Sequence, residues 1–226
     1  MLFGTAQRLA KVTRPLEVKF KDKIVNFTKT YKYLGVQLTD VLDVNHQFDD
    51  NYRRFTNRLR LLKKVRYLLD VKSALTLYNT MFSHIFSYCS ILSLKYTNTQ
   101  INKMKSLEHR VSNVIFQNTT GRSVQSILNT NKLKCCKLVR QCIDRVVCPN
   151  FHEYFKLMNH EIQTRNNNIL LKIPKFRTEF GKKSFMFTGA KIYNDLPTDL
   201  RKEGDFTKFT NLLKSHFLSI EVFKSL

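Results

Sequence analysis

Three cysteines and two histidines lie within a short stretch of the chain: Cys136, Cys142, Cys148, His152 and His160. Thiolates and imidazoles are the ligand types that hold zinc, so this set raises a metal site first. The spacing speaks against it, because structural zinc sites pair their cysteines two to four residues apart. Cys135, Cys142 and Val146 instead share a helical period with Leu138 and Val139. That pattern makes the thiols small apolar core residues. Five cysteines in all, with no apolar leader in MLFGTAQRLAKV, predict reduced thiols in an intracellular protein of the nucleus or cytoplasm.

A second kind of chemistry is spread along one helix. Phe48, Tyr52, Phe55, Leu59, Leu62, Val65 and Leu69 recur at spacings of three and four, which predicts a long amphipathic helix from about Asn45. Asp43 or Asn45 can cap it, and Asp49 and Asp50 suit its positive N-terminal end. Arg53, Asn57, Arg60 and Lys64 fall opposite the apolar side, with Arg54, Arg58 and Lys63 beside them and Arg66 following. No acid interrupts residues 51–69, so the spacing predicts that these cations lack carboxylate partners within the helix. Cations in this arrangement can track phosphates, each contact releasing counterions.

The whole composition agrees. Thirty-nine Lys and Arg stand against 17 Asp and Glu in 226 residues, a net charge of +22. A folded chain so basic calls for an anionic partner, nucleic acid before a membrane surface. Apolar residues make up 42% of the chain, enough for a real core. The acids are dispersed, which argues against a nuclease. Residues 73–94 carry no charge over a length that could span a bilayer. Ser73, Thr76, Thr80, Ser83, Ser87 and Ser90 form a narrow stripe along them, which predicts a buried helix with its small-residue side against a neighbour and no membrane span. His84 in this segment reads as a satisfied core or groove histidine, since no second ligand stands three or four residues away.

Residues 1–40 have strand character: LFGT, then LEVKF and KIVNFT joined by Lys21-Asp22-Lys23 as a hairpin, then the aromatic stretch TYKYLGVQL. Gly35 within that stretch suggests a bulge or a close backbone approach. A further helix is expected over 98–116, on Ile101, Met104, Leu107, Val111 and Val114. Residues 118–122 break the pattern and mark a boundary. Shorter helices follow over 123–158, then ILLKIP and the strand-like KFRTEFGKKSFMF, and helices near 189–195 and 205–219. The expected class is α+β, mainly helical, divided as 1–40, 41–118 and 119–226.

Five segments in order carry a resemblance: MLFGT, YKYLGVQL, YNTMFSHIFSYCSIL, INKMKSLEHRVSNVIF and TRNNNILLKIPKFRTEFGKKSFMFTGAKIYNDLP. Together they resemble the C-terminal part of the reverse transcriptase of non-LTR (LINE-type) retrotransposons, in the jockey and chicken-repeat neighbourhood. The resemblance implies a palm remnant over 1–40, a helical thumb over 41–118 and a basic C-terminal region. Tyr33, Leu34 and Gly35 would be the primer grip. The basic helix from Arg53 to Arg66 would track the template–primer duplex, as RNA, RNA/DNA or DNA duplex, by charge without base reading. Lys175, Arg177, Lys182 and Lys183 of the last block suggest RNA contact. Tyr193 stands where the family usually has Trp, which keeps a packing role.

Nucleotidyl transfer in that family uses paired carboxylates and two magnesium ions, from an early palm strand and a Tyr/Phe-x-Asp-Asp hairpin. Both are expected ahead of Met1. Phe48-Asp49-Asp50 lacks the intervening residue, follows the grip strand and occupies a helix's first turn, where acids are favoured by the dipole alone. The resemblance therefore implies a fragment with no catalytic residue and no cofactor of its own, inactive alone, with magnesium belonging to the complete enzyme. The alternative is a stand-alone basic helical RNA- or DNA-binding module. That module would make 1–40 a self-contained sheet, whereas a palm remnant leaves edges and an apolar face bare.

Overall fold

In the computed structural model the described residues are 3–12, 18–21, 23–117, 122–144, 153–158 and 170–218. They form a mainly helical α+β protein with two small antiparallel sheets, as the sequence pattern predicts. The chain divides into two compact units, residues 1–57 and 58–226, and the division falls inside one long helix.

In the first unit, residues 3–5 of LFGT form no strand. Thr5 caps a short helix, α1 (Ala6–Ala10), its hydroxyl accepting from the Arg8 amide at 3.3 Å. The expected hairpin follows as β1 (Val18–Phe20) and β2 (Lys23–Val25), with Phe20 opposite Lys23. TYKYLGVQL is a second hairpin and not one strand: β3 (Thr30–Tyr33) and β4 (Val36–Thr39) pair antiparallel with Tyr33 opposite Val36. Leu34 and Gly35 are its two-residue turn, with φ of 46° and 82°. Positive φ at both centres is the pattern of a type I′ turn, whose twist matches the strands. Gly35 thus serves the turn and makes no bulge.

The helix α2 (Asn45–Val65) begins where expected, with the Asp43 carboxylate accepting from the Asn45 amide at 3.0 Å. The Gln47 side chain accepts from the Gln37 amide at 2.8 Å and donates to Asn51 Oδ1 at 3.1 Å, which fastens β4 to the helix. Val44, Phe48 and Phe55 are buried. The two hairpins do not pair with each other, and their apolar residues stay open to solvent: Phe20 is 70% exposed, Leu34 73%, Tyr31 and Tyr33 57%.

In the second unit Leu59 and Leu62 bury the rest of α2, which ends at Val65 in a 3₁₀ turn, Arg66–Leu68. The helical period had predicted continuation through Leu69. The uncharged segment is broken too: α3 (Val71–Leu77), a π turn (Tyr78–Phe82), α4 (Ser83–Ser87), Cys89 in the left-handed region, then a 3₁₀ segment (Ser90–Lys95). Its hydroxyl stripe is covered only in its second half, where Ser87 is buried and Ser83 and Ser90 are half-buried. Ser73, Thr76 and Thr80 are exposed. The hydroxyls of Thr76, Thr80 and Ser83 donate back to the carbonyls of Lys72, Thr76 and Asn79 at 3.0, 2.9 and 2.7 Å. Such back-bonding bends a helix and satisfies hydroxyls without any partner element. No helix among the described residues is long and apolar enough to cross a membrane.

The next helix, α5 (Asn98–Phe116), matches its expected bounds. Thr97 and Gln100 form a capping box at its start, and Met104, Leu107, Val111 and Ile115 are buried. Then α6 (Ile127–Ile143) carries Cys135, Cys136, Val139 and Cys142 into the main core. KFRTEFGKKSFMF is helical where a strand was expected: α7 (Glu179–Lys182) and α8 (Phe185–Asn194), capped by Thr178 and Ser184. The chain continues through α9 (Thr198–Lys202) to α10 (Phe206–Leu218). Helices α6, α8 and α10 close over Ala190, Tyr193, Phe209 and Leu213. Asn194 clasps the Leu171 backbone, accepting from its amide at 2.8 Å and donating to its carbonyl at 2.9 Å. Cys148, Val146, His152 and His160 lie outside the described residues.

Candidate nucleic-acid interface

The type I′ turn sets Tyr33, Leu34 and Gly35 at the exposed tip of the second hairpin. The same unit contains Arg53, Arg54 and Asn57, all exposed. Here one expectation fails. Arg53 and Arg54 do have a carboxylate partner: Asp50 Oδ1 accepts from Arg53 at 2.8 Å and Oδ2 pairs with Arg54 at 2.7 Å. Asp50 lies one residue ahead of the acid-free window, and positions three and four residues on stand directly above it on the helix. The pairs are solvent-exposed and contribute little to stability. The single Asp50 charge offsets one of the two positive charges, shared between the arginines.

In the second unit the cations of α2 divide by use. Arg58 donates to the Met81 carbonyl and approaches His84 Nε2 at 3.3 Å. Met81 lies in the π turn, and Arg58 gives its carbonyl a side-chain donor. Arg66 donates to the carbonyls of Val114 and Ile115 and closes the end of α5. Arg60, Lys63 and Lys64 are exposed, and no acid among the described residues pairs with them.

The acids are committed elsewhere. Asp70 caps α3 through the Ser73 amide at 3.1 Å, and the Ser73 side chain, together with that amide, holds its carboxyl below the usual range. Glu108 accepts from the Ile127 amide at 2.7 Å and caps α6. Asp144 pairs with Arg140 at 2.8 Å, while the Arg140 guanidinium also lies over the Phe209 ring. Asp205 accepts from the Lys208 and Thr207 amides at the start of α10, at 2.9 and 2.6 Å. Helix caps and local pairs thus absorb much of a small supply of negative charge.

Of the C-terminal cations, Lys175, Arg177 and Lys183 are exposed, and Lys182 pairs with Glu179 at 2.6 Å. Sequence reasoning missed the roles of Asp50 and Arg66. The i,i+3 and i,i+4 spacing of Asp50 to Arg53 and Arg54 was the available signal for the first.

The residues present do not fit the magnesium pair of a polymerase. Asp50 is engaged by two arginines, and among the described residues no three His, Cys, Asp or Glu side chains converge to hold a metal ion. Cys135 is buried with its thiol pushed up to about 12, and burial raises Cys136 further. Cys135 and Cys142 pack in the core, as the helical period predicts, and Cys136 packs there with them.

Comparison with protein-family models, with characterised proteins and with solved structures finds no match to this chain.

Proposed function

We propose that the chain binds the template–primer duplex as the C-terminal part of a non-LTR retrotransposon reverse transcriptase, and that it does not polymerise alone. The observation that carries the binding is the acid-free run of Arg60, Lys63 and Lys64 on α2, exposed while the nearby acids serve caps and local pairs. Such a surface holds any phosphate backbone without reading bases, as a polymerase requires.

The palm-remnant reading gains support from the hairpins. A self-contained binding module would pair its strands into one sheet and cover their apolar side. Here the two hairpins stay separate, with Phe20, Tyr31, Tyr33 and Leu34 open to solvent. The exposed turn at Leu34 and Gly35 is a form in which backbone could meet a primer terminus. The test is a labelled RNA–DNA primer–template offered with magnesium and deoxynucleotides. Binding without extension is expected; extension by the purified chain would refute the inactive reading, and absence of binding would refute the rest.

A further inference from the structure

The end of α2 leaves apolar side chains in water beside its free cations. Leu61, Val65 and Leu68 recur at spacings of four and three, on one side of the helix and its 3₁₀ extension, and all three are exposed. Tyr67 is 79% exposed, more than any other large apolar side chain among the described residues. A 3₁₀ turn holds three residues, so its successive side chains point about 120° apart. Arg66 points inward, donating to the Val114 and Ile115 carbonyls, and Tyr67 and Leu68 on the same turn stay outside. One exposed apolar residue needs no explanation, but four together mark a surface that meets something.

The charges beside these residues say what that is. Arg60, Lys64 and Tyr67 are spaced four and three apart, so the ring ends a row of exposed cations, and Lys63 stands one turn before it. No acid among the described residues pairs with the three cations. Asp70, the acid nearest to Tyr67 in sequence, caps α3 through the Ser73 amide. The partner must therefore offer negative charge and an apolar face at once. A paired duplex offers phosphates but keeps its base faces stacked inside, which would leave Tyr67 bare. An unpaired strand offers both, and aromatic rings hold such strands by stacking on their bases. A membrane surface fits less well, because Leu59 and Leu62, on the main apolar side of α2, are buried in the protein.

We infer that Tyr67, with Leu68 beside it, stacks on an unpaired RNA base, so that α2 takes a duplex where it opens into a single strand. This rests on the nucleic-acid reading above and names the form of RNA that its cations hold.

The test compares one RNA duplex with blunt ends against the same duplex with a short single-stranded extension carrying 4-thiouridine. The native chain should bind the extended RNA about 5- to 100-fold more tightly, the range for one stacked base. Irradiation should cross-link the extension to the peptide holding Tyr67, read by mass spectrometry. Tyr67→Ala should abolish the preference and Tyr67→Phe should keep it, with the salt slope unchanged in both because no phosphate contact is lost. Equal binding of the two RNAs by the native chain, with no cross-link at Tyr67, overturns the stacking site and leaves the α2 reading standing. A Tyr67→Ala chain that keeps the preference, or weakens on both RNAs alike, also overturns it. So does binding to phosphatidylserine vesicles that Tyr67→Ala removes while the RNA preference stays. No binding to either RNA overturns both readings. The cross-link uses the unsubstituted chain, so the answer does not depend on a variant folding.

Discussion

The Arg66 guanidinium donates twice to the Ile115 carbonyl, from Nη2 at 2.6 Å and from Nε at 3.0 Å. It also reaches the carbonyls of Val114 and Leu69, at 3.1 and 2.5 Å. Helix ends leave carbonyls unbonded, and a cation there both satisfies them and complements the dipole. Arg66→Ala should therefore lower stability by about 1–3 kcal/mol, the usual cost of stranding partly buried acceptors. RNA affinity and its salt slope should stay as they were. Urea unfolding and a binding titration on one preparation check both halves.

Asp50 restrains Arg53 and Arg54 by direct pairing. Asp50→Asn frees both, so binding to duplex RNA should tighten and the salt slope should steepen by up to about 1.8, at about 0.9 per added contact. A fluorescence anisotropy titration at several salt concentrations measures it. An unchanged slope would mean that these two arginines do not face phosphate.

The cap of α10 predicts an acid dependence. Amide bonds from Lys208 and Thr207 hold the Asp205 carboxyl below its usual range. A carboxyl with a lowered folded value stabilises the fold above the unfolded pKa of about 3.9 and loses that stabilisation as pH falls through the folded value. Asp205→Ala should thus melt below the native chain at neutral pH, with the gap closing in strong acid. Thermal melts at both ends of the range give the comparison.

How much of this was legible in sequence depended on where each signal lay. Ile101, Met104, Leu107, Val111 and Val114, at helical spacing, marked α5 to its ends. Leu34-Gly35 was not read as a turn, because leucine seldom takes positive φ and the pair lacks Asn or Asp. The break at Tyr78–Phe82 involves neither Gly nor Pro, so nothing in the one-dimensional pattern announces it. The aromatics of KFRTEFGKKSFMF suggested a strand. The caps Thr178 and Ser184, each three residues before the amide it accepts, were the overlooked evidence for helices.

The cysteines give a test of the core. Cys135, Cys136 and Cys142 are buried, and desolvation raises the first two thiols well above neutral pH. Thiolate is the reactive form. A thiol reagent should modify exposed Cys89 well before Cys135 and Cys136 in the folded chain, and should reach all of them in denaturant. Peptide mapping of the labelled sites resolves the order.

The central claim is that Arg60, Lys63 and Lys64 contact phosphate. It is tested most directly by the salt dependence of duplex RNA binding in the native chain and in the R60Q/K63Q/K64Q variant. The variant should keep its melting temperature and lose about 2.7 from the slope of log K against log salt, at about 0.9 per contact. An equal slope in both proteins would contradict the claim.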